Sequence, residues 1–111
     1  ILVYGKTPIN VDVIQATITP DASCAFDKCP KPLRLMRQIV EYYTNPGDVV
    51  IDFVCGSATT LVAAKMAGRH YLGFEIDAKI AELSRQRLAN TQTPLFVPEP
   101  EQATMFAGVL A

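Results

Sequence analysis

The sequence contains no tryptophan, a single histidine and no apolar run approaching the ~20 residues that cross a bilayer. It therefore predicts no membrane-spanning segment. Cys24, Cys29 and Cys55 are an odd number of cysteines, which favours a reducing, cytoplasmic location over a disulfide framework. Structural zinc needs a full tetrahedral ligand set. Cys24, Cys29 and His70 do not complete such a set, so we expect no metal site.

Length and charge restrict the protein further. With 111 residues there is room for one small domain or a piece of a larger one. Half of the residues are hydrophobic and 19% are charged, which predicts a folded chain with a buried core. The net charge of −1 argues against a dominating electrostatic surface for nucleic acid, although a local basic face is compatible with it. Because the chain opens abruptly on the strand-like ILVYGK, we expect an N-terminal part to be missing.

A buried strand, a turn of small residues, a helix and a second strand are indicated by VVIDFVCGSATT at Val49–Thr60 and YLGFEID at Tyr71–Asp77. The small residues allow backbone N–H groups to face a ligand. Thr59 or Thr60 is expected to cap the helix, whose N-terminal dipole favours negative charge. Glu75 lies close to the ~20-residue separation at which an acidic residue accepts hydrogen bonds from a ribose. The pattern predicts a site for a nucleoside-containing cofactor; an ordinary βαβ unit without a ligand is the alternative.

Helices are predicted on both sides of this unit. Pro32 starts the first helix, and Asn45–Asp48 stops it with glycine at the turn position that needs positive φ. Gly68 ends the helix after the small-residue turn, and Asp77 caps a last helix that runs to about Asn90. Helical spacing assigns the faces of the first and last helices. Inward are Leu33, Met36, Val40, Tyr43, Ile80, Leu83 and Leu88; outward are Arg34, Arg37, Glu41, Lys79, Glu82, Arg85 and Arg87.

The elements combine into an α/β fold with a parallel central sheet and flanking helices. Strands are predicted at Ile1–Tyr4, Val49–Val54 and His70–Ile76, the last two parallel and joined through the helix near Thr59. Residues 1–90 form this unit, within which 10–29 are a poorly defined loop region that can hold a short strand. Three prolines after Thr91 predict that residues 91–111 are a C-terminal tail. Its apolar end, residues 105–110, is too short to assign.

Three segments in order, KCPKPLRLMRQIV, NPGDVVIDFVCGSATTLVAAKMAGRHYLGFEID and AELSRQRL, resemble the C-terminal half of DNA amino-methyltransferases. These enzymes transfer a methyl group from S-adenosylmethionine to adenine N6 or cytosine N4. The subgroup is the one whose cofactor motifs follow the catalytic motif, including many phage and restriction-modification enzymes. The resemblance implies a partial Rossmann-like methyltransferase fold, double-stranded DNA as the partner of the full-length enzyme, and a bacterial or phage-infected cytoplasm.

The resemblance also implies roles for particular residues. Lys31, with Pro32, begins the helix beside the methionine end of the cofactor. Asp52 and the following turn line the methionine and the sugar; the turn residues are Phe53, Val54, Cys55, Gly56 and Ser57. Thr59 lies near the cofactor carboxylate, Glu75 holds both ribose hydroxyls and Ile76 packs by the adenine. A carboxylate suits a cis-diol because it offers two acceptor oxygens.

The sequence departs from the family pattern at several positions. Phe53 and Val54 stand where the family has proline and phenylalanine, and Asp27 replaces a histidine before the first helix. Ala58 replaces the second glycine of the turn. If that position needs positive φ, the added Cβ costs ~1–2 kcal/mol, which corresponds to about tenfold in affinity if all of it opposes binding.

The catalytic motif of the family is absent from the sequence. It is an Asp/Asn/Ser-Pro-Pro-aromatic loop, which holds the target amino group while its aromatic side chain stacks on the flipped base. No Pro-Pro dipeptide occurs in the 111 residues. In the subgroup this loop lies upstream of the cofactor motifs, so we expect a missing N-terminal catalytic segment and an inactive chain on its own.

Two other functions fit parts of the pattern. A fragment of a nicotinamide-dependent oxidoreductase is one, since the turn partly imitates G-x-G-x-x-G, but Ala58 and the helix before the strand count against it. The other is a non-catalytic prophage remnant, which the departures at Phe53, Val54 and Ala58 would fit.

Overall fold

The computed structural model describes residues 2–4, 25–28 and 30–98, with the backbone alone for residues 2–4. Its elements are, in chain order, β1 (Leu2–Tyr4), α1 (Leu33–Tyr43), β2 (Val49–Asp52), α2 (Thr59–Met66), β3 (His70–Gly73) and α3 (Ala78–Ala89). The predictions for residues 5–24, for Cys24 and Cys29, and for residues 105–110 lie outside the described residues. No helix in the described ranges is long and apolar enough to cross a membrane.

The described strands form one sheet in the order β1-β2-β3. Strands β2 and β3 are parallel, with Val49 opposite His70 and Asp52 opposite Gly73, and α2 makes the connection between them. The predicted parallel pair is thus confirmed. Strand β1 lies antiparallel on the other edge of β2, with Leu2 opposite Ile51.

Both parallel strands end earlier than the sequence predicts. We expected Val49–Val54 and His70–Ile76, whereas β2 ends at Asp52 and β3 at Gly73. The segments that follow the two strands remain hydrogen-bonded to each other. The N–H of Phe74 donates to the carbonyl of Asp52 at 3.0 Å, and the N–H of Cys55 donates to the carbonyl of Phe74 at 2.9 Å. The apolar residues that extended the predicted strands belong to the turns that follow.

Helix α2 is the centre of the described core. Its first six residues, Thr59–Ala64, are all buried, because α1 packs on one side, α3 on another, and both parallel strands lie beneath. Small side chains at Ala63 and Ala64 let Val40 of α1 and Val50 of β2 approach closely in one cluster with Met36. The predicted inward positions Met36 and Val40 are therefore confirmed as buried.

The turn between α1 and β2 also forms as predicted. Gly47 has φ 88°, and the N–H of Asp48 donates to the carbonyl of Asn45 at 3.0 Å.

The tail contacts the start of β3, since the carbonyl of Pro98 accepts a hydrogen bond from Nε2 of His70 at 2.6 Å. Pro98 of the tail thus contacts the fold, whereas Leu95 and Phe96 before it are exposed.

Candidate functional site

The carboxyl ends of β2 and β3 bring the predicted site residues to one edge of the sheet. Asp52 ends β2 directly opposite Gly73 of β3, and Glu75 follows two residues later. In open α/β sheets ligands bind in the crevice outside this edge. The candidate site is therefore built from the turn after β2, residues 53–58, which we call the glycine turn, and from the loop after β3.

Asp52 shapes the start of the glycine turn. Its side chain is buried, with 3% of the residue exposed, and Oδ1 accepts the N–H of Val54 at 3.1 Å. This is the local bond by which an aspartate turns its own backbone. One carboxylate oxygen of Asp52 thus has a structural partner within the turn.

Two residues of the glycine turn adopt the left-handed conformation. Gly56 has φ 53°, and Ala58 has φ 63° and ψ 26°. The position where Ala58 replaces glycine does have a positive φ, so its Cβ carries the ~1–2 kcal/mol penalty of that region. Ala58 is fully buried and packs with Cys55 and Leu61. A Cβ added to Gly56 would lie 3.7 Å from Oδ2 of Asp27, which is an ordinary van der Waals contact.

Glu75 closes over the glycine turn. Its Oε2 accepts the N–H of Gly56 at 3.0 Å and its Oε1 accepts the N–H of Asp77 at 3.0 Å. Both carboxylate oxygens are thus oriented by backbone donors. The side chain is half-buried, so the carboxylate is fixed in position and still reachable from solvent.

The helix after the turn is not capped by a threonine, contrary to the prediction. Ala58 is the N-cap of α2 and makes no side-chain cap bond. Thr59 is buried, and its Oγ1 accepts a hydrogen bond from Nη1 of Arg87 at 2.9 Å. The left-handed conformation of Ala58 starts the helix one residue earlier than a threonine cap would. The Thr59 hydroxyl therefore faces α3.

Arg87 is a residue that the sequence pattern assigned incorrectly. It was predicted to face outward on α3, yet only 6% of it is exposed. Its Nη1 donates to the carbonyl of Ser57 at 2.7 Å, and on the same helix Oγ of Ser84 donates to the carbonyl of Gly56 at 2.7 Å. Helical spacing alone gives no signal for this, because the partners lie 28 to 30 residues upstream.

Cys55 is buried in the turn as a protonated thiol. Burial raises the pKa of Cys55, and the charges of Asp52 and Glu75 raise it further. A backbone hydrogen bond and the charge of Lys31 act in the opposite direction without reversing the shift. Lys31 itself is exposed just before α1. A thiol with a raised pKa is a poor nucleophile, and Cys55 is accordingly a packing residue of the turn.

An apolar cleft opens beside Glu75. The rings of Phe53 and Phe74 stack with centroids 5.6 Å apart and planes inclined by 14°. Both rings, together with Val54 and Ile76, are exposed, Ile76 completely. The cleft has a volume of about 950 Å³, and its lining includes these four side chains with Glu75, Ala58, Ser84 and Arg85. A group of exposed apolar side chains around one carboxylate is typical of a ligand-binding site.

Solved structures with related sequences share this fold. TTHA0409 of Thermus thermophilus, in complex with S-adenosyl-L-methionine, is 39% identical with a TM-score of 0.55, covering 64% of this chain and 29% of that one. The M1.HpyAVI–SAM complex is 27% identical with a TM-score of 0.63, covering 78% of this chain and 44% of that one. The Rossmann-like methyltransferase fold implied by the resemblance is therefore confirmed.

Curated relatives and a family model give the same assignment. The type II methyltransferase M.HindIII of Haemophilus influenzae is 32% identical over 77 residues, which are 69% of this chain and 25% of that protein. The DNA adenine methyltransferase YhdJ of Escherichia coli is 38% identical over 58 residues, or 52% of this chain and 20% of that protein. The chain thus spans about a quarter of its relatives' length. A family model for DNA methylases of the N6/N4 type matches residues 15–86, and this chain therefore belongs to that family.

Proposed function

We propose that this chain supplies the S-adenosylmethionine-binding part of a DNA methyltransferase that modifies an exocyclic amino nitrogen, adenine N6 or cytosine N4. The observation that carries the proposal is the position of Glu75, fixed by the N–H of Gly56 over the glycine turn at the carboxyl edge of two parallel strands. The relatives solved with S-adenosylmethionine support the choice of ligand.

The residues present fit the sugar and base of this cofactor. Each oxygen of Glu75 accepts one backbone N–H in the structure, and a carboxylate oxygen has a second lone pair for a hydroxyl. The two remaining acceptor positions suit the two hydroxyls of a ribose. The exposed side chains of Ile76 and Phe74 beside them offer an apolar surface to a nucleobase.

The other proposed contacts follow the order of the chain around the turn. Asp52 and the backbone of Phe53–Ser57 line the sugar and the methionine portion, with Gly56 allowing close approach. Lys31, exposed and near Cys55, supplies a positive charge beside the methionine end. We keep Thr59 in the binding set only through its place at the start of α2, because its hydroxyl accepts from Arg87.

When bound, the cofactor supplies an electrophilic methyl group, and the residues of this chain bind and orient it. The second partner of the reaction, the target amino nitrogen of a flipped base, needs the Pro-Pro-aromatic loop, and the 111 residues contain no Pro-Pro dipeptide. We therefore propose that methyl transfer to double-stranded DNA requires a separate catalytic segment. The family match does not favour the nicotinamide-dependent oxidoreductase.

Calorimetric titration of the chain tests the ligand directly. S-adenosylhomocysteine, the demethylated product, should bind and raise the thermal midpoint, because a ligand that binds the folded state stabilises it. NAD serves as the matched control, since it also carries an adenosine with a free ribose diol. Binding of NAD with no preference for S-adenosylhomocysteine would contradict the proposal. Binding of neither ligand by a folded chain would support the prophage remnant instead.

A further inference from the structure

Two polar residues on one face of α3 are buried against the glycine turn. Ser84 and Arg87 are three residues apart, so their side chains lie on the same side of the helix. They are 4% and 6% exposed, whereas Arg85 between them is exposed and pairs with Glu82 at 3.4 Å. The buried pair faces the inside of the molecule at the point where the turn passes beneath α3.

The pair donates hydrogen bonds to consecutive carbonyl groups. Oγ of Ser84 reaches the carbonyl of Gly56 at 2.7 Å, and Nη1 of Arg87 reaches the carbonyl of Ser57 at 2.7 Å. Arg87 also donates to Oγ1 of Thr59 at 2.9 Å, which ties the turn to the first residue of α2. Side chains of α3 thus donate hydrogen bonds to three residues in and next to the turn: Gly56, Ser57 and Thr59.

The bond from Ser84 fixes the orientation of the peptide group between Gly56 and Ser57, and the bond from Arg87 fixes that of the peptide group between Ser57 and Ala58. The described chain has no cis peptide bond, so the C=O and N–H of each peptide point in opposite directions. With its carbonyl directed at Ser84, this peptide directs the N–H of Ser57 away from α3. Glycine moves readily between backbone conformations, and Gly56 would allow this peptide to rotate without the two donors.

Packing of α3 alone does not account for an arginine at this position. Burying a guanidinium costs free energy that only good hydrogen bonds offset, and an apolar residue would dock the helix without that cost. The guanidinium instead directs its bonds to the turn that carries the candidate site. The N–H of Gly56 that donates to Glu75 belongs to the preceding peptide unit, which shares the Cα of Gly56 with the peptide held by Ser84.

We propose that Ser84 and Arg87 are positioning residues for the cofactor: they hold the glycine turn in the conformation in which Gly56 binds Glu75 and Glu75 faces the ligand. The proposal rests on the proposed function, because the ligand is S-adenosylmethionine or its demethylated product. Arg87 does not line the cleft; Ser84 does, but its hydroxyl is directed to the carbonyl of Gly56. Both act through the backbone of the turn.

Affinity for S-adenosylhomocysteine, measured on the folded chain, tests the proposal. Ser84→Ala removes only a hydroxyl and should weaken binding roughly three- to tenfold, the equivalent of one hydrogen bond. Arg87→Lys keeps the charge but loses the rigid, planar guanidinium whose Nη1 donates to both Ser57 and Thr59, and should weaken binding by about tenfold or more. Amide relaxation dispersion should show new exchange at Gly56 and Ser57 in the ligand-free variants.

Two control variants separate positioning from general stability. Val40→Ala truncates the core beside α1, remote from the turn, and should lower the thermal midpoint while the folded fraction binds as the wild type does. Glu82→Gln, on the exposed face of α3 and outside the cleft, should change neither property. If Arg87→Lys does not fold, Ser84→Ala alone decides. If the wild type binds S-adenosylhomocysteine and Ser84→Ala binds it with the same affinity, this proposal is wrong and the proposed function stands. If the wild type does not bind S-adenosylhomocysteine, the proposed function itself is wrong.

Discussion

The backbone N–H of Gly56 donates to Oε2 of Glu75 across 3.0 Å, although the two residues are nineteen positions apart. The bond joins the turn after β2 to the loop after β3, and the parallel register of Asp52 with Gly73 brings them together. A glycine with φ 53° and a carboxylate beyond the adjacent strand thus form one unit.

Replacing the carboxylate should abolish most of the binding of S-adenosylhomocysteine. Glu75→Ala removes a charged acceptor for the ribose hydroxyls, and hydrogen bonds to charged groups contribute about 1.5–3 kcal/mol. We expect a loss of ~2–3 kcal/mol in calorimetric titration. Glu82→Ala is the control, because Glu82 is exposed on α3 and its partners among the described residues, Arg85 and Gln86, are on the same helix. Equal affinities for Glu75→Ala and the wild type would show that the ribose assignment is wrong.

Ala58→Gly should leave affinity equal or higher and change stability little. Glycine relieves the ~1–2 kcal/mol cost of the left-handed conformation but adds about 0.4–1 kcal/mol of unfolded-state entropy. Loss of the buried methyl group costs ~0.8 kcal/mol more. These effects nearly cancel, so the free energy of unfolding measured in urea should change by less than about 1 kcal/mol.

A glycine substitution in α2 provides the comparison for Ala58. Ala63 is equally buried but has helical geometry, so Ala63→Gly relieves no strain and should cost ~2 kcal/mol through helix propensity and the lost methyl group. If the two substitutions destabilise the chain equally, the strain assigned to Ala58 is absent.

Most of the secondary structure could be predicted from the sequence, because its signals are local. The turn glycine Gly47 and the N-cap Asp77 need only their neighbours in the chain, and both occur where the pattern predicts. Arg87 could not be predicted in the same way. A helical pattern assigns arginine to solvent, and its burial depends on carbonyl groups about thirty residues away. The ends of β2 and β3 were misplaced because exposed apolar residues such as Val54 extend the strand pattern into the turns.

The cap of α3 gives a local test of stability. Oδ1 of Asp77 accepts the N–H groups of Lys79 and Ile80 at 2.9 and 3.1 Å. Asp77→Ala should therefore lower the free energy of unfolding by ~1 kcal/mol. Asp77→Asn retains an acceptor oxygen, and asparagine caps a helix nearly as well as aspartate. It should therefore lower the free energy of unfolding by only a few tenths of a kcal/mol. Equal losses in urea titrations of both variants would contradict the assigned cap.

Cys55 should react slowly with iodoacetamide. Burial and the charges of Asp52 and Glu75 raise the pKa of Cys55, so the folded chain holds less thiolate at about pH 8 than a free cysteine, whose pKa is ~8.5. Raising the pH should accelerate alkylation, with a midpoint above that of the free amino acid. Folding favours the neutral thiol. The free energy of unfolding therefore falls as the pH rises from the pKa of the unfolded thiol to the higher pKa of Cys55 in the folded chain. Peptide mass mapping identifies modification at Cys55, and rapid labelling at about pH 8 would contradict the buried, protonated thiol.

Methyl transfer should require a catalytic segment in addition to this chain. Transfer requires the methyl group and the target nitrogen to be held in line within ~3–3.5 Å, and the sequence lacks the Pro-Pro loop that would hold the nitrogen. We expect no incorporation of labelled methyl groups into DNA by the 111 residues alone.

Fusion to a segment that carries a Pro-Pro-aromatic loop should restore transfer to an exocyclic amino nitrogen. The matched control is the same fusion with the loop aromatic changed to alanine, which removes the stacking surface for the flipped base and should transfer far less. Nucleoside analysis by mass spectrometry distinguishes N6-methyladenine and N4-methylcytosine from 5-methylcytosine. Efficient transfer by the chain alone would show that the catalytic residues lie within these 111 residues. A 5-methylcytosine product from the fusion would contradict the proposed amino-nitrogen chemistry, because carbon-5 has no lone pair for the loop to direct toward the methyl group.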